Sequence, residues 1–437
     1  MLESFSTFTP NKSNRMSQTQ TLEEISQTAF SVNGREYRPP AVPIAVLLID
    51  GCADEYLSVS LAKNQMPHLA KMLEGGHRSL LRGALPSFTN VNNSAIVTGC
   101  PPRDTGIGGN YIIDPSTGEE VMTNSSKFLR LETILAAAAD AGRKVAMVTA
   151  KDKLRELLSK NMKGIAFSAE KVDEVTMEVN GIEDVISQVG PKPNIYSADA
   201  SLYVLRAGAH LIETGQADFC YLTLTDYMQH KYAPEAPESL AFYRAIDDHI
   251  GKLLGLGCVV AATADHGMNA KCDATGNPNV VYLETELQQQ FGGGITVICP
   301  ITDPYVVHHG ALGSAVTVYL PAGIDHAEVA SWILNLDGIT EVHTRAVAER
   351  MLELPADRIG DLFVLSARNY VIGRTSAHHD LSQLEGRLRS HGGRYEEMVP
   401  MVLSHPLNEA YYKKSQGDPR NFDIFDFACN GVVVPQA

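Results

Sequence analysis

Apolar residues fall in short runs of strand length that stop on polar residues or glycine, and stretches with helical spacing separate them. Val42 to Ile49, Lys144 to Val148, Ala217 to Thr225 and the run from Val259 into Ala264 show little polar alternation. That pattern predicts strands covered on both faces, as in a parallel sheet. Between them, 56–74, Leu131 to Ala141 (closed by Gly142), Ala200 to Glu213 and Leu240 to Leu254 read as helices, and Ser79 to Leu85 as a further short strand. Strands alternating with helices predict an α/β fold with a mostly parallel central sheet. The segment 155–200 is mixed and carries no firm assignment.

The pattern changes after Met268. Val280 to Leu283, Ile295 to Cys299, Tyr305 to His308 and Ser314 to Leu320 are short apolar or alternating runs with Gly and Pro between them, and Ala327 to Leu336 reads as a helix. This predicts an inserted α+β cap over 271–358 with its own small sheet. Gly360 to Leu365 reads as a return to the main sheet, and Asp423 to Pro435 as a closing segment. The catalytic core is therefore expected over 30–270 and 359–437. Residues 1–29, rich in Ser, Thr, Gln and Glu, read as a flexible tail without the apolar stretch of a secretory signal.

Chemistry-bearing residues recur where the apolar runs stop, the position at which open α/β sheets place their sites. Asp265-His266 ends one run and Asp50-Gly51 another. Asp with His is a mixture that a borderline cation such as zinc accepts, though an Asp in such a place is often only a cap. Asp226 and His230 follow a third run, four residues apart, so a helical turn would stack both toward a single cation. His391, followed by Gly392-Gly393, would be exposed at a turn. Pro86 ends the short strand before Thr89, which puts Thr89 at a helix start. There a hydroxyl serves either as a cap or as a nucleophile beside free N–H groups. Lys151 and Lys153 follow a fourth run, as an anion clamp or as the solvated first turn of a helix. The loop from Pro101 to Ser116, with Gly106, Gly108, Gly109 and Asn110, would let backbone approach a ligand closely. Adjacent histidines point in different directions, so His308-His309 read as loop residues before metal ligands.

Composition narrows the partners. A net charge of −15 over 437 residues argues against nucleic acid, whose phosphates call for clustered Lys and Arg. It does not forbid a small anionic substrate, because bound divalent cations can invert the local field. No apolar run is long enough to span a membrane. Seven dispersed cysteines, mostly within apolar segments, read as free thiols of a cytoplasmic protein.

The set Asp50, Thr89, Asp226, His230, Asp265, His266 and His391, with its order and contexts, resembles the alkaline phosphatase superfamily in its nucleotide pyrophosphatase/phosphodiesterase-like branch. The resemblance covers nearly the whole chain after about residue 30. Within that branch the segments Leu48 to Gly51, Pro86 to Asn90, Gly108 to Asn110, Thr149 to Lys153, Asp226 to His230 and Ser390 to Gly393 look like those of the phosphonate-cleaving members. The resemblance implies an alkaline-phosphatase-like core and two zinc ions. Asp50, Thr89, Asp265 and His266 would hold the first, and Asp226, His230 and His391 the second, with a position open to substrate oxygen and water. It also implies that Asn110 bonds the phosphonate and that Lys151 with Lys153 takes the substrate carboxylate. The implied reaction is cleavage of phosphonoacetate to acetate and phosphate through a phosphothreonine; hydrolysis of phosphate diesters is the alternative. A silent metal-binding protein is disfavoured because Thr is a poor structural zinc ligand. Zinc against manganese or iron, and whether the chain forms a homodimer, stay open.

Overall fold

The computed structural model describes residues 25–303, 310–382, 384 and 386–435. In chain order, the strands of its two larger sheets are β1 (Ile44–Leu48), β2 (His77–Arg82), β3 (Val145–Thr149), β4 (Ile165–Ser168), β5 (Phe219–Thr223), β6 (Val259–Thr263), β7 (Thr296–Ile298), β8 (Ala315–Tyr319), β9 (Ile339–Thr344), β10 (Leu362–Ser366) and β11 (Met398–Leu403). The main sheet runs β2-β11-β6-β1-β5-β3-β4 and the smaller one β7-β8-β10-β9. In the main sheet β6, β1, β5, β3 and β4 are mutually parallel, while β11 pairs antiparallel with both β6 and β2. The smaller sheet is antiparallel throughout.

Five of the main strands (β1, β3, β4, β5 and β6) are buried at every residue, as their continuous apolar runs require. Helices flank them. Here α1 (Thr89–Thr98), α2 (Ala198–Glu213), α3 (Tyr227–Lys231) and α4 (Pro237–Gly255) matter most. The Ser197 hydroxyl accepts from the Asp199 N–H to start α2, and a Pro in the first turn starts α4. The helix expected over 56–74 is two, Asp54–Ala62 and Pro67–Leu73, because Pro67 cannot continue the first but can begin the second. Among the described residues no helix is long and apolar enough to cross a membrane.

Two expectations are corrected. Gly360 to Leu365 does not return to the main sheet: β10 pairs with β8 and β9, so the boundary expected at 358 falls inside the smaller α+β unit. The strand that does rejoin the main sheet is β11. Both runs are continuous and apolar, and only pairing partners distant in sequence distinguish them. The packed chain also starts before Phe30, since the Ser26 hydroxyl donates to the Ala141 carbonyl and Arg143 donates to the Ser26 carbonyl. Residues 1–24, the strand expected over Tyr305 to His308, and His308-His309 lie outside the described residues.

Register places the chemistry. Thr149, Thr223, Leu48 and Thr263 are cross-strand partners in one row of the parallel strands. Lys151, Asp226, Asp50 and Asp265 each lie two or three residues beyond that row. All four therefore emerge together at the carboxyl edge of the sheet.

Candidate active site

Thr89 is the first residue of α1, a helix buried along its whole length, and Phe88 precedes it in extended conformation without a side-chain cap. Asp226 lies at the N-terminus of α3, and one helical turn brings His230 back over it, with Nε2 2.8 Å from Asp226 Oδ2. The short ladder of Asn269–Ala270 against Arg389–Ser390 ties the segment after His266 to the segment before His391. The two imidazoles consequently lie face to face, with centroids 3.5 Å apart and planes 9° from parallel. Gly51 and Gly392 both occupy the left-handed region, at φ +69° and +119°. A Cβ at Gly392 would sit 2.4 Å from the Phe88 ring, so this close return of the His391 loop needs glycine.

All seven sequence-derived ligand candidates converge. Metal-ligating atoms of Asp50, Asp265 and His266 lie within 4.8 Å of one another, and so do those of Asp226, His266 and His391. His266 Nε2 is 3.3 Å from Asp50 Oδ1, 3.6 Å from Asp265 Oδ2 and 3.4 Å from Thr89 Oγ1. His391 Nε2 is 3.7 Å from Asp226 Oδ2. His266 thus reaches toward both groups, a feature the sequence did not reveal.

Three arrangements show that this donor set fits cations. First, Nδ1 of His230, His266 and His391 lies 2.8–2.9 Å from the backbone carbonyls of Arg389, Gly267 and Ser87. A carbonyl only accepts, so each Nδ1 carries hydrogen and each ring turns its Nε2 toward the carboxylates, the orientation ligating histidines take. Second, Asp50 Oδ1 is buried yet has no hydrogen-bond partner, an orphan acceptor that a cation would satisfy. Third, three carboxylates share a space from which solvent is nearly excluded. Burial and repulsion from Asp226 and Asp265 hold the Asp50 carboxyl well above its ordinary pKa, and burial with the Asp226 charge raises Asp265 to about 7. Burial also acts to raise Asp226, but His230, Lys151 and His391 outweigh it and keep this carboxyl well below the ordinary range. Burial and the neighbouring imidazoles depress His391.

The pocket around these groups is lined by Asn110, Lys151, Lys153, Leu154, Leu224, Thr225, Ile301 and Asp303 besides the ligand candidates. Asn110 Oδ1 accepts the Asn90 N–H at 2.9 Å, so one of the helix-start N–H groups expected to be free beside Thr89 is occupied. Asn110 itself lines the pocket. The two lysines are not equivalent. Lys153 Nζ is ion-paired at 2.7 Å with Asp303, whose side chain is 3% exposed. Lys151 makes no such pair among the described residues, and burial together with the Lys153 charge lowers its pKa. Asp303 escaped the sequence reading because an Asp in a Pro-containing loop gives no signal of its partner.

A family model described as type I phosphodiesterase / nucleotide pyrophosphatase matches residues 44–394. Solved structures of phosphonoacetate hydrolase from Sinorhizobium meliloti 1021, in complex with phosphonoformate and with phosphonoacetate, are 44% identical to the chain with a TM-score of 0.88. They cover 94% of this chain and 100% of that one. An inactive variant of murine ectonucleotide pyrophosphatase / phosphodiesterase 5, in complex with AMP, is 16% identical over 91% of this chain and 97% of its own, with a TM-score of 0.60. At that identity the likeness is one of fold.

Proposed function

The chain belongs to the type I phosphodiesterase / nucleotide pyrophosphatase family, and from that premise we propose that it hydrolyses the carbon–phosphorus bond of phosphonoacetate, giving acetate and phosphate. The observation that carries this reading is the Lys151 ammonium, without an ion-pair partner among the described residues, in a pocket that Asp50, Thr89, Asp226, His230 and His391 also line. A phosphate-ester hydrolase has no need of such a cation, whereas a substrate carboxylate does. The 44% identity to the Sinorhizobium meliloti enzyme supports it. A base-binding clamp, expected for a nucleotide hydrolase, finds no support: among the described residues the lining has no Phe, Tyr or Trp.

Asp50, Thr89, Asp265 and His266 would hold one zinc ion and Asp226, His230 and His391 a second, and ions so held would acidify the Thr89 hydroxyl and offset charge on the phosphonate oxygens. Thr89 Oγ1 attacks phosphorus. As the P–O bond forms the P–C bond breaks, and its electron pair passes to the methylene carbon and into the adjacent carboxylate. Lys151 lies beside that growing charge and stabilises it more in the transition state than in the ground state. Protonation at carbon gives acetate. The Asn110 amide donates to a phosphonate oxygen, and Lys153, held by Asp303, adds positive potential at longer range. Water then cleaves the phosphothreonine, releasing phosphate and restoring the hydroxyl. Seven buried thiols without a disulfide support a cytoplasmic setting.

The test is phosphate release from phosphonoacetate by the zinc-loaded protein beside hydrolysis of bis-p-nitrophenyl phosphate. Preferential turnover of the phosphonate that collapses in Lys151→Met supports the reading. Preferential turnover of the diester, indifferent to Lys151, overturns it.

A further inference from the structure

Outside the pocket the chain buries an ion pair with no part in the chemistry above. Lys271 Nζ lies 2.8 Å from Glu396 Oε1, and both side chains are 0% exposed. Such a pair is a poor device for stability, because desolvating two charges offsets most of their attraction. Its hydrogen bonds run to the two segments that deliver the stacked imidazoles. Glu396 Oε2 accepts the Gly393 N–H at 3.0 Å, two residues past His391. The backbone carbonyl of Glu396 accepts the Gly267 N–H at 2.8 Å, one residue past His266. Its Oε1 also accepts from Asn269 at 2.6 Å, in the ladder between these segments. Lys271 closes the arrangement by donating to the Arg368 carbonyl at 2.8 Å.

We infer that Lys271 and Glu396 are positioning residues that set the spacing of His266 against His391, and so hold the two ligand groups in register for a pair of metal ions. Among the described residues no hydrogen bond or ion pair joins the pair to the side chain of His266 or His391. The pair's hydrogen bonds hold the backbone just past both, at Gly267 and Gly393, so a change in it moves one imidazole relative to the other. This rests on the metal-binding part of the function proposed above, and not on the identity of the substrate.

The experiment measures zinc affinity and stoichiometry by chelator competition, with thermal midpoint, kcat and KM, on the full chain and on Lys271→Met, Glu396→Gln and the double variant Lys271→Met/Glu396→Met. Each single variant is expected to bind zinc about 10–100-fold more weakly, the range for groups that orient metal ligands, with kcat falling while KM changes little. The double variant removes both buried charges and is expected to regain thermal stability without regaining zinc affinity. That combination separates positioning from mere structural support. A double variant with the zinc affinity and kcat of the parent overturns the inference, as do single variants whose zinc affinity is unchanged. A parent chain that takes up no zinc overturns the metal assignment itself.

Discussion

Replacing Lys151 by Met leaves the pocket's shape nearly intact while removing its one cation without an ion-pair partner among the described residues. The magnitude follows from the contrast with Lys153. The Lys153 ammonium is 2.7 Å from a buried carboxylate that neutralises much of its field, whereas Lys151 is free to meet charge arriving on the substrate. A preorganised donor aimed at developing negative charge is worth about 2.7–4 kcal/mol, or 10²–10³ in kcat. Lys151→Met should therefore lose that factor in kcat on phosphonoacetate while keeping or raising the thermal midpoint, since burial disfavours the charged amine it removes. Lys153→Met should behave differently. It deprives the buried Asp303 of its ammonium and should destabilise the fold by up to about 3 kcal/mol, at the low end of such losses because Lys153 is 21% exposed. The double variant Lys153→Met/Asp303→Leu should restore stability and keep kcat within about tenfold of the parent. Steady-state phosphate release and thermal melts on the four proteins decide it. A Lys151 variant with full activity, or a double variant as inactive as Lys151→Met, refutes the division of roles.

Thr89→Ala should abolish turnover while retaining zinc, and acid-quenched parent enzyme should show a phosphorylated peptide containing Thr89 that the variant lacks; absence of that peptide during rapid turnover would argue against the covalent route. Chelation should remove activity and zinc should restore it. The stabilisation zinc confers should also depend on pH. Asp265 titrates near 7 in the folded chain, above the unfolded value of about 3.9, so on its account the metal-free fold loses stability as pH rises between those values. A cation that takes the carboxylate reverses the trend, and the zinc-induced rise in thermal midpoint should be larger at about pH 8 than at about pH 6; an equal rise would contradict the shift. Gly392→Ala should disrupt the His391 loop, because its Cβ would meet the Phe88 ring at 2.4 Å in a backbone conformation strained for alanine, and weakened zinc binding with a lowered melting temperature would show it.

Which residues gather at the candidate site was legible in the sequence, because apolar runs of strand length announce their own ends and Asp50, Asp226 and Asp265 stand there with Thr89, His230, His266 and His391 in suggestive contexts. The helical spacing of Asp226 and His230 is a local property and could be read directly. What the chain could not state is anything set by contacts between segments distant in sequence. The row of Leu48, Thr149, Thr223 and Thr263 that brings four strand ends level exists only through pairing. The same pairing assigns Leu362–Ser366 to the smaller sheet and Met398–Leu403 to the main one. Lys151 and Lys153 look alike two positions apart, and only the fold brings Asp303, 150 positions from Lys153, to one of them. The stacked imidazoles and the Lys271–Glu396 pair are likewise products of packing. Residue type and local periodicity are written along the chain; distance, burial and charge compensation arise only where remote segments meet.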